Sequence, residues 1–339
     1  MKAAVLERRG ADDVSWRDFP DPQANEGETI LRVVAASLNR VDLYMRDNGA
    51  GITHALPQAM GVDAAGFVAE AAPGSGLKVG KKAIVYPSAF CGTCRFCLAG
   101  DQPLCERVKI MGEHRNGGFA EYVAMPSRCI FPLPDEADLV AAGALATGHL
   151  TAWRMLFGKK ALKPGESVLI VGVGGGVAVA CLQLAKLVGA RVFVTSSSDE
   201  KIARAIAMGA DDGVSYRAGP TSRAILDMSG GGVDMAIDSV GAASWGESLK
   251  SLRRGGRLIT CGATTGGDPP ADLQRLFIRQ LEIYGSTGGS VGEFRLLLDV
   301  FNQGKVKPII DSTYAAAEIR TAFARLESGA HFGKVSIVL

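Results

Sequence analysis

Hydrophobic and polar positions change their period near the middle of the chain. In the first 40 residues, short apolar runs alternate with polar positions, AAVLE and then TILRVVAASLN, and the turn-rich DPQANEGE separates them. A period of two buries one face of a strand, and Pro, Gly, Asn and Asp end it. GVDAAGFVAEAA, KKAIVYPS and GGFAEYVAMPS continue the pattern, each bounded by Gly or Pro. They predict a compact β-rich domain from which CGTCRFCLAGDQPLC, residues 91–105, projects as a long loop.

After PLPDEADLVAAGALATG the units become strand, turn and helix: ESVLIVGVGGG with VAVACLQLAKLVGA, then RVFVTSSS with DEKIARAIAMGAD. VDMAIDSVG, a helix over about 243–253 and GRLITCGATTG continue this βαβ rhythm. A parallel sheet with helices on both faces accounts for it, so the fold class is α/β with a doubly wound second domain. From residue 292 on, a helix over VGEFRLLLDVFNQG, another over EIRTAFARLESG and a closing strand KVSIVL are expected to rejoin the first domain.

Composition narrows the class. The 339 residues suffice for two domains, and 47% hydrophobic residues with 43 glycines fit a globular protein rather than a disordered one. The formal net charge is +2, and basic residues are scattered among acidic ones, so no stripe tracks a nucleic-acid backbone. Val168 to Ala185 carries no charge, but GVGGG and Gln183 interrupt it, and it reads as a buried strand rather than a membrane span. Seven cysteines, an odd number, and a start without the apolar stretch of a secretory leader point to a reducing compartment, the cytoplasm.

LIVGVGGGVAVACLQLAK ends a strand in glycines and opens a helix. Glycines let the backbone approach a pyrophosphate, and the helix N-terminus offers unpaired N–H groups to it. Gly172 and Gly174 fit the dinucleotide fingerprint; residue 177 is Val, and Ala178 takes the close-packing position. An acid at the end of the next strand would bind the ribose 2′-hydroxyl of NAD. Here that strand ends in Thr195, Ser196, Ser197 and Ser198, with Lys201 beyond, which suits the 2′-phosphate of NADPH. Asp199 is expected to cap the following helix.

With GVDAAG at 61–66, the four-cysteine loop, GGFAEY at 117–122, ATGHLTAW at 146–153, the glycine turn, DSVG at 238–241 and FGKV at 332–335, the chain resembles the medium-chain dehydrogenase/reductase superfamily over essentially its whole length. The resemblance implies a GroES-like catalytic domain over 1–145 and 286–339 and a Rossmann cofactor-binding domain over 146–285. It also implies that Cys91, Cys94, Cys97 and Cys105 hold one structural zinc per chain. Four thiolates close a tetrahedral shell, so such a zinc fastens a loop and does not act on substrate. The family's catalytic zinc needs other ligands, and their positions here read Asn39, Val62 and Gly143, with Asp63 surviving beside the lost histidine.

This combination resembles the quinone oxidoreductase-like and enoyl reductase-like branches, in which NADPH reduces a quinone or the activated double bond of an enone or enoyl thioester. By that likeness Thr147 contacts the nicotinamide, and Asn39 and Asp42 line the pocket beside its ribose. Gly174, Gly175, Gly176 and Val177 take the pyrophosphate, and Ser196, Ser197, Lys201 and Tyr216 the 2′-phosphate. Val240, Ala263, Phe332, Gly333 and Lys334 flank the nicotinamide ribose. Tyr44, on the predicted helix DLYMRD, is the candidate proton or oxyanion donor, since a phenol can supply either. His149 and His54 are weaker candidates to face the pocket. The apolar strand in RQLEIYGST at 279–287 predicts edge-to-edge pairing into a homodimer, or a tetramer. Two rival functions are a zinc-dependent alcohol dehydrogenase with unorthodox ligands such as Asp63, His54 or His149, and a protein that binds NADPH without turnover.

Overall fold

The computed structural model describes residues 1–10, 13–51 and 55–339, so His54 lies outside the described residues. It divides into two compact units, Met1–Leu150 with Ser290–Leu339, and Thr151–Gly289.

In the first unit the strand Glu28–Leu38 is the longest, and it pairs antiparallel with Ala65–Glu70, Tyr122–Pro126 and Lys334–Val338. Its apolar residues Leu31, Val33, Ala35, Ala36 and Leu38 are all buried, which holds it inside the domain. The closing strand Lys334–Val338 joins it with Val335 opposite Leu38 and Ser336 opposite Ser37, so the chain's end lies beside residues 37–39. Around this pair Leu6, Leu38, Leu43, Phe119, Phe323, Val335 and Ile337 form one apolar cluster. Each large side chain so buried contributes about 1.5–3 kcal/mol before conformational entropy is charged against it.

The motifs GVDAAG and GGFAEY pack against each other. A Cβ on Gly117 would lie 2.4 Å from the carbonyl oxygens of Met60 and Gly61, and one on Gly118 would lie 2.2 Å from that of Asp63. Only glycine permits that approach, and it fixes the backbone that carries Val62 and Asp63.

The second unit holds six strands, all parallel, in the order Asp212–Ser215, Arg191–Ser196, Ser167–Ile170, Val233–Asp238, Leu252–Thr260, Glu282–Gly285. In chain order this is 3-2-1-4-5-6, the dinucleotide-binding arrangement, and its order reverses beside Ser167–Ile170. The uncharged run from Val168 is divided between that strand and the helix Gly176–Leu187. No described helix is long and apolar enough to cross a membrane. Glu282–Gly285 is one of the two edge strands, and the helix Leu273–Arg279 before it leaves Leu273 and Phe277 exposed.

Candidate functional site

A polar cluster in the first unit gathers several of the residues singled out above. Asn39 follows the long strand and is the N-cap of the helix Arg40–Asp47. Its side-chain amide is fully used: Nδ2 donates to the Ser37 carbonyl at 3.1 Å and to Asp63 Oδ2 at 2.8 Å, and Oδ1 accepts from Lys334 Nζ at 2.5 Å. Asp63 also accepts from Ser37 Oγ at 2.7 Å, from the Thr147 amide at 2.8 Å and from Lys334 Nζ at 3.3 Å. Burial alone would push the Asp63 carboxyl up. Lys334, Asn39, Thr147 and Ser37 outweigh it and hold the group below the usual carboxylate range.

Asp42 behaves in the opposite sense. It is fully buried; Oδ2 accepts from the Asn39 amide at 2.7 Å, and Oδ1 has no partner. Burial, reinforced by the charges of Asp63 and Glu113 and opposed by the Asn39 amide and Lys334, pushes Asp42 up to about 8, so near neutral pH this carboxyl keeps its proton. Glu113, which carries no signal in the sequence, is also buried, and burial pushes it up to about 7.

The remaining catalytic candidates are placed as follows. Thr147 reaches the cluster through its amide, while its hydroxyl donates to the Val62 carbonyl at 3.3 Å. Tyr44 lies two positions from Asp42 on the same helix, half-buried against the apolar cluster and with the Arg40 guanidinium 5.9 Å from its ring centre. His149 is buried in the helix Ala146–Trp153. Phe332 and Lys334 are both buried within the first unit.

The donor set here does not fit a catalytic zinc. Asn39 is committed, Val62 is an alkyl side chain, and a lysine ammonium sits among them. Gly143 offers no donor either. It packs in the helix Leu139–Gly143, where a Cβ would lie 2.6 Å from the Ala35 carbonyl oxygen. The residue directly before Thr147 is Ala146, which also lacks a donor.

The cysteine lobe fits a zinc. The sulfurs of Cys91, Cys94, Cys97 and Cys105 lie within 4.8 Å of one another, and among the described residues they are the one such group of His, Cys, Asp and Glu able to hold a metal. Backbone amides of Thr93 and Cys94 point at Cys91 Sγ at 3.5 and 3.3 Å, and those of Cys91 and Arg107 at Cys105 Sγ, both at 3.4 Å. These donors stabilise thiolates, the form a metal requires, and those on Cys91 pull its thiol down to about 5.

In the second unit the turn after Ser167–Ile170 fits a dinucleotide phosphate. Gly172 and Gly174 have φ of +73° and +134°, and Gly175 precedes the helix Gly176–Leu187 with open space where a Cβ would stand. A Cβ on Gly174 would lie 3.1 Å from Lys201 Nζ, so a cation rests against the turn. Val240 packs on its other side, 3.2 Å from where a Gly172 Cβ would be. Ser196 is committed inward: Oγ donates to the Val173 carbonyl at 3.2 Å and accepts from the Ser198 amide at 3.3 Å. Ser197 is half-buried and Tyr216 exposed, each open at least in part to an incoming phosphate. The cap of the next helix is Ser198, accepting from the Lys201 amide, and Asp199 is the helix's first residue, a shift of one from the expected cap. Ala263 is exposed in the loop after the fifth strand.

Comparison with known proteins agrees with both units. Residues 25–135 match the alcohol dehydrogenase GroES-like domain, and residues 176–303 the zinc-binding dehydrogenase domain. An alcohol dehydrogenase of Geobacillus stearothermophilus is 32% identical, covering 100% of this chain and 99% of its own length. An acryloyl-coenzyme A reductase of Sulfurisphaera tokodaii is 29% identical over 94% of this chain and 95% of its own. The crystal structure of an NAD-dependent alcohol dehydrogenase superposes with a TM-score of 0.96 at 35% identity, covering 100% of both chains. The fold, the glycine turn and these full-length matches make the chain a member of the medium-chain dehydrogenase/reductase superfamily of oxidoreductases.

Proposed function

We propose that the chain is an NADPH-dependent reductase of a quinone or of the activated double bond of an enone or enoyl thioester, working without a catalytic zinc. The observation that carries this reading is the cluster at Asn39, Val62 and Asp63: a committed amide and an alkyl group stand where the resemblance implies metal ligands, beside a carboxylate already paired with Lys334. Oxidising an alcohol near neutral pH requires an alkoxide, and a bound metal is one established means of generating it. Hydride addition to a conjugated double bond or quinone requires only that the charge left on oxygen be stabilised and a proton delivered.

When bound, NADPH supplies the hydride. Gly174 to Val177 would receive its pyrophosphate. Ser197, Lys201 and Tyr216 would receive the 2′-phosphate, with no acid at the strand's end to select the NAD ribose. Ser196 serves that site by shaping the turn, since its hydroxyl is used internally. Thr147, Asn39 and Asp42 hold position, and Tyr44 is the candidate donor of a proton or of a hydrogen bond to the developing oxyanion. The relative named as an acryloyl-coenzyme A reductase favours the double-bond chemistry; those named as alcohol dehydrogenases, two of them as NAD-dependent, favour the rival. An edge strand beside exposed Leu273 and Phe277 supports pairing into a homodimer, and a cytoplasmic enzyme is the setting we propose.

The test is steady-state oxidation of NADPH and NADH with a panel of quinones, enones and enoyl thioesters, beside alcohol oxidation. Turnover with one acceptor class and a clear preference for NADPH is expected. Activity confined to alcohols would replace this reading with the zinc-dependent one, and tight NADPH binding with no turnover would replace it with a binding protein.

A further inference from the structure

In the second unit the strand Val233–Asp238 pairs with Ser167–Ile170 across the point where the sheet order reverses. A dinucleotide laid over that crevice has its adenosine half toward Arg191–Ser196 and its nicotinamide half over the turn that follows Asp238. Asp238, the last residue of its strand, is fully buried. A carboxylate so placed must have its oxygens satisfied, and four donors do so. Oδ1 accepts from the Val240 amide at 2.8 Å and the Gly241 amide at 3.1 Å, and Oδ2 accepts from Ser244 Oγ at 2.7 Å and Ser248 Oγ at 2.6 Å. Ser244 and Ser248 stand one turn apart on the helix Ala242–Ser251, so they reach the carboxylate from one face.

The same turn is held a second time, from the loop after the fifth strand. Thr265 donates twice to the Val240 carbonyl, from its amide and from Oγ1, both at 2.8 Å, and Oγ1 accepts from the Ala243 amide at 3.0 Å. Thr264 Oγ1 donates to the Ser239 carbonyl at 3.2 Å. Gly241 permits this closeness: its φ is +92°, and a Cβ there would lie 2.6 Å from the Gly266 carbonyl oxygen. Both backbone polar groups of Val240 are thus fixed, N–H by Asp238 and C=O by Thr265, while its side chain packs at the first glycine of the nucleotide turn. Thr264 and Thr265 are themselves exposed, so the clasp adds little to the core. We infer that Asp238 and Thr265 are positioning residues for the nicotinamide half of the cofactor, holding Val240 and the loop that carries Ala263 as one preformed wall; this rests on the dinucleotide reading above and not on which acceptor is reduced. Neither residue touches the cofactor, and each acts through the backbone of Val240. A wall already in place costs no ordering when the ligand arrives, so releasing either clasp returns that cost at the nicotinamide end alone. The hydroxyl of Thr265 must donate and accept at once, which serine can also do and valine cannot.

The test measures Kd by titration for NADPH and NADH and for their adenosine halves, 2′,5′-ADP and ADP, in the wild type, Thr265→Val, Thr265→Ser and Asp238→Ala, with folding followed by denaturation. Thr265→Val is expected to raise the Kd of the dinucleotide that the wild type binds about fivefold, and Asp238→Ala to raise it about tenfold, with the matching half-molecule within about twofold in both. Thr265→Ser is expected to return the dinucleotide Kd to within about twofold of wild type. Because Thr265 is exposed, its two variants carry the test if Asp238→Ala does not fold. A folded Thr265→Val protein that binds the dinucleotide as the wild type does overturns the inference. So do equal losses for dinucleotide and half-molecule, which would make the clasp a general support of the domain, and so does a serine variant no better than valine. A wild type that binds neither dinucleotide overturns the cofactor reading and this inference with it, whereas dinucleotide binding without turnover overturns the proposed reaction alone.

Discussion

In the cysteine lobe four sulfurs gather within 4.8 Å, with backbone amides turned toward them and the Arg107 guanidinium beside Cys91. In the Asn39 cluster the Lys334 ammonium donates to an amide and to a carboxylate that also accepts from the Ser37 hydroxyl. Both regions concentrate negative or electron-rich groups, and both need positive charge. The four cysteines fit a zinc ion, which would supply positive charge that one arginine cannot. In the other cluster Asp63, held below the usual carboxylate range, meets a counter-charge in Lys334 on the last strand. The two sites draw on separate parts of the sequence, so a cysteine set that fits a metal stands in the same domain as a cluster at Asn39, Val62 and Asp63 whose side chains do not.

That contrast can be broken most forcefully in the lobe. Cys97→Ser removes a buried sulfur from a closed shell and with it the zinc, and we expect a stability loss of about 5 kcal/mol, read by denaturation, with kcat of the remaining folded enzyme within about twofold. A zinc-free variant of unchanged stability would end the fastener account. In the second cluster, Asp63→Ala leaves a buried ammonium with a neutral amide as its partner. A loss of about 3–5 kcal/mol is expected, and one near zero would show that the pair is not buried in solution.

Asp42 sharpens the comparison through pH. Its folded-state pKa is raised to about 8, far above the usual carboxylate value, so between about pH 4 and 8 the folded chain holds a proton that the unfolded chain has released. The folded state binds more protons over that window, and Asp42 therefore makes stability fall as pH rises. Asp42→Asn should flatten the fall, gaining at least about 1 kcal/mol relative to wild type at pH 8 compared with pH 5. An unchanged slope would mean that the carboxyl is ionised in the fold. The smallest effect is expected at the nucleotide turn: Lys201→Ala should raise NADPH Kd about tenfold and leave NADH Kd within about twofold, by titration. Equal losses for both would remove Lys201 from the 2′-phosphate.

Much of this was legible because it is local. The spacing of Cys91, Cys94, Cys97 and Cys105 lies within fifteen residues, and the turn at Gly172 and Gly174 joins neighbouring elements, so short-range chemistry wrote both into the sequence. Asn39 and Asp63 were visible as altered ligand positions. What they do was not, because the role of Asn39 depends on which side chain meets its carbonyl oxygen, and Lys334 arrives from the far end of the chain through strand pairing. Likewise Ser196 carries the residue type that a phosphate site wants, yet its hydroxyl closes on Val173, a direction that the run Thr195 to Ser198 could not reveal. Glu113 gave no signal at all, since nothing in its local sequence marks a charged residue as buried.

The most direct test of the central contrast is zinc content measured alongside turnover. The purified wild type, after a mild chelator, should hold one zinc per chain and keep its NADPH-dependent turnover, and Cys97→Ser should hold none and keep turnover while folded. Two zincs per chain, with activity that follows the second, would contradict the zinc-free reading and replace it with the zinc-dependent one.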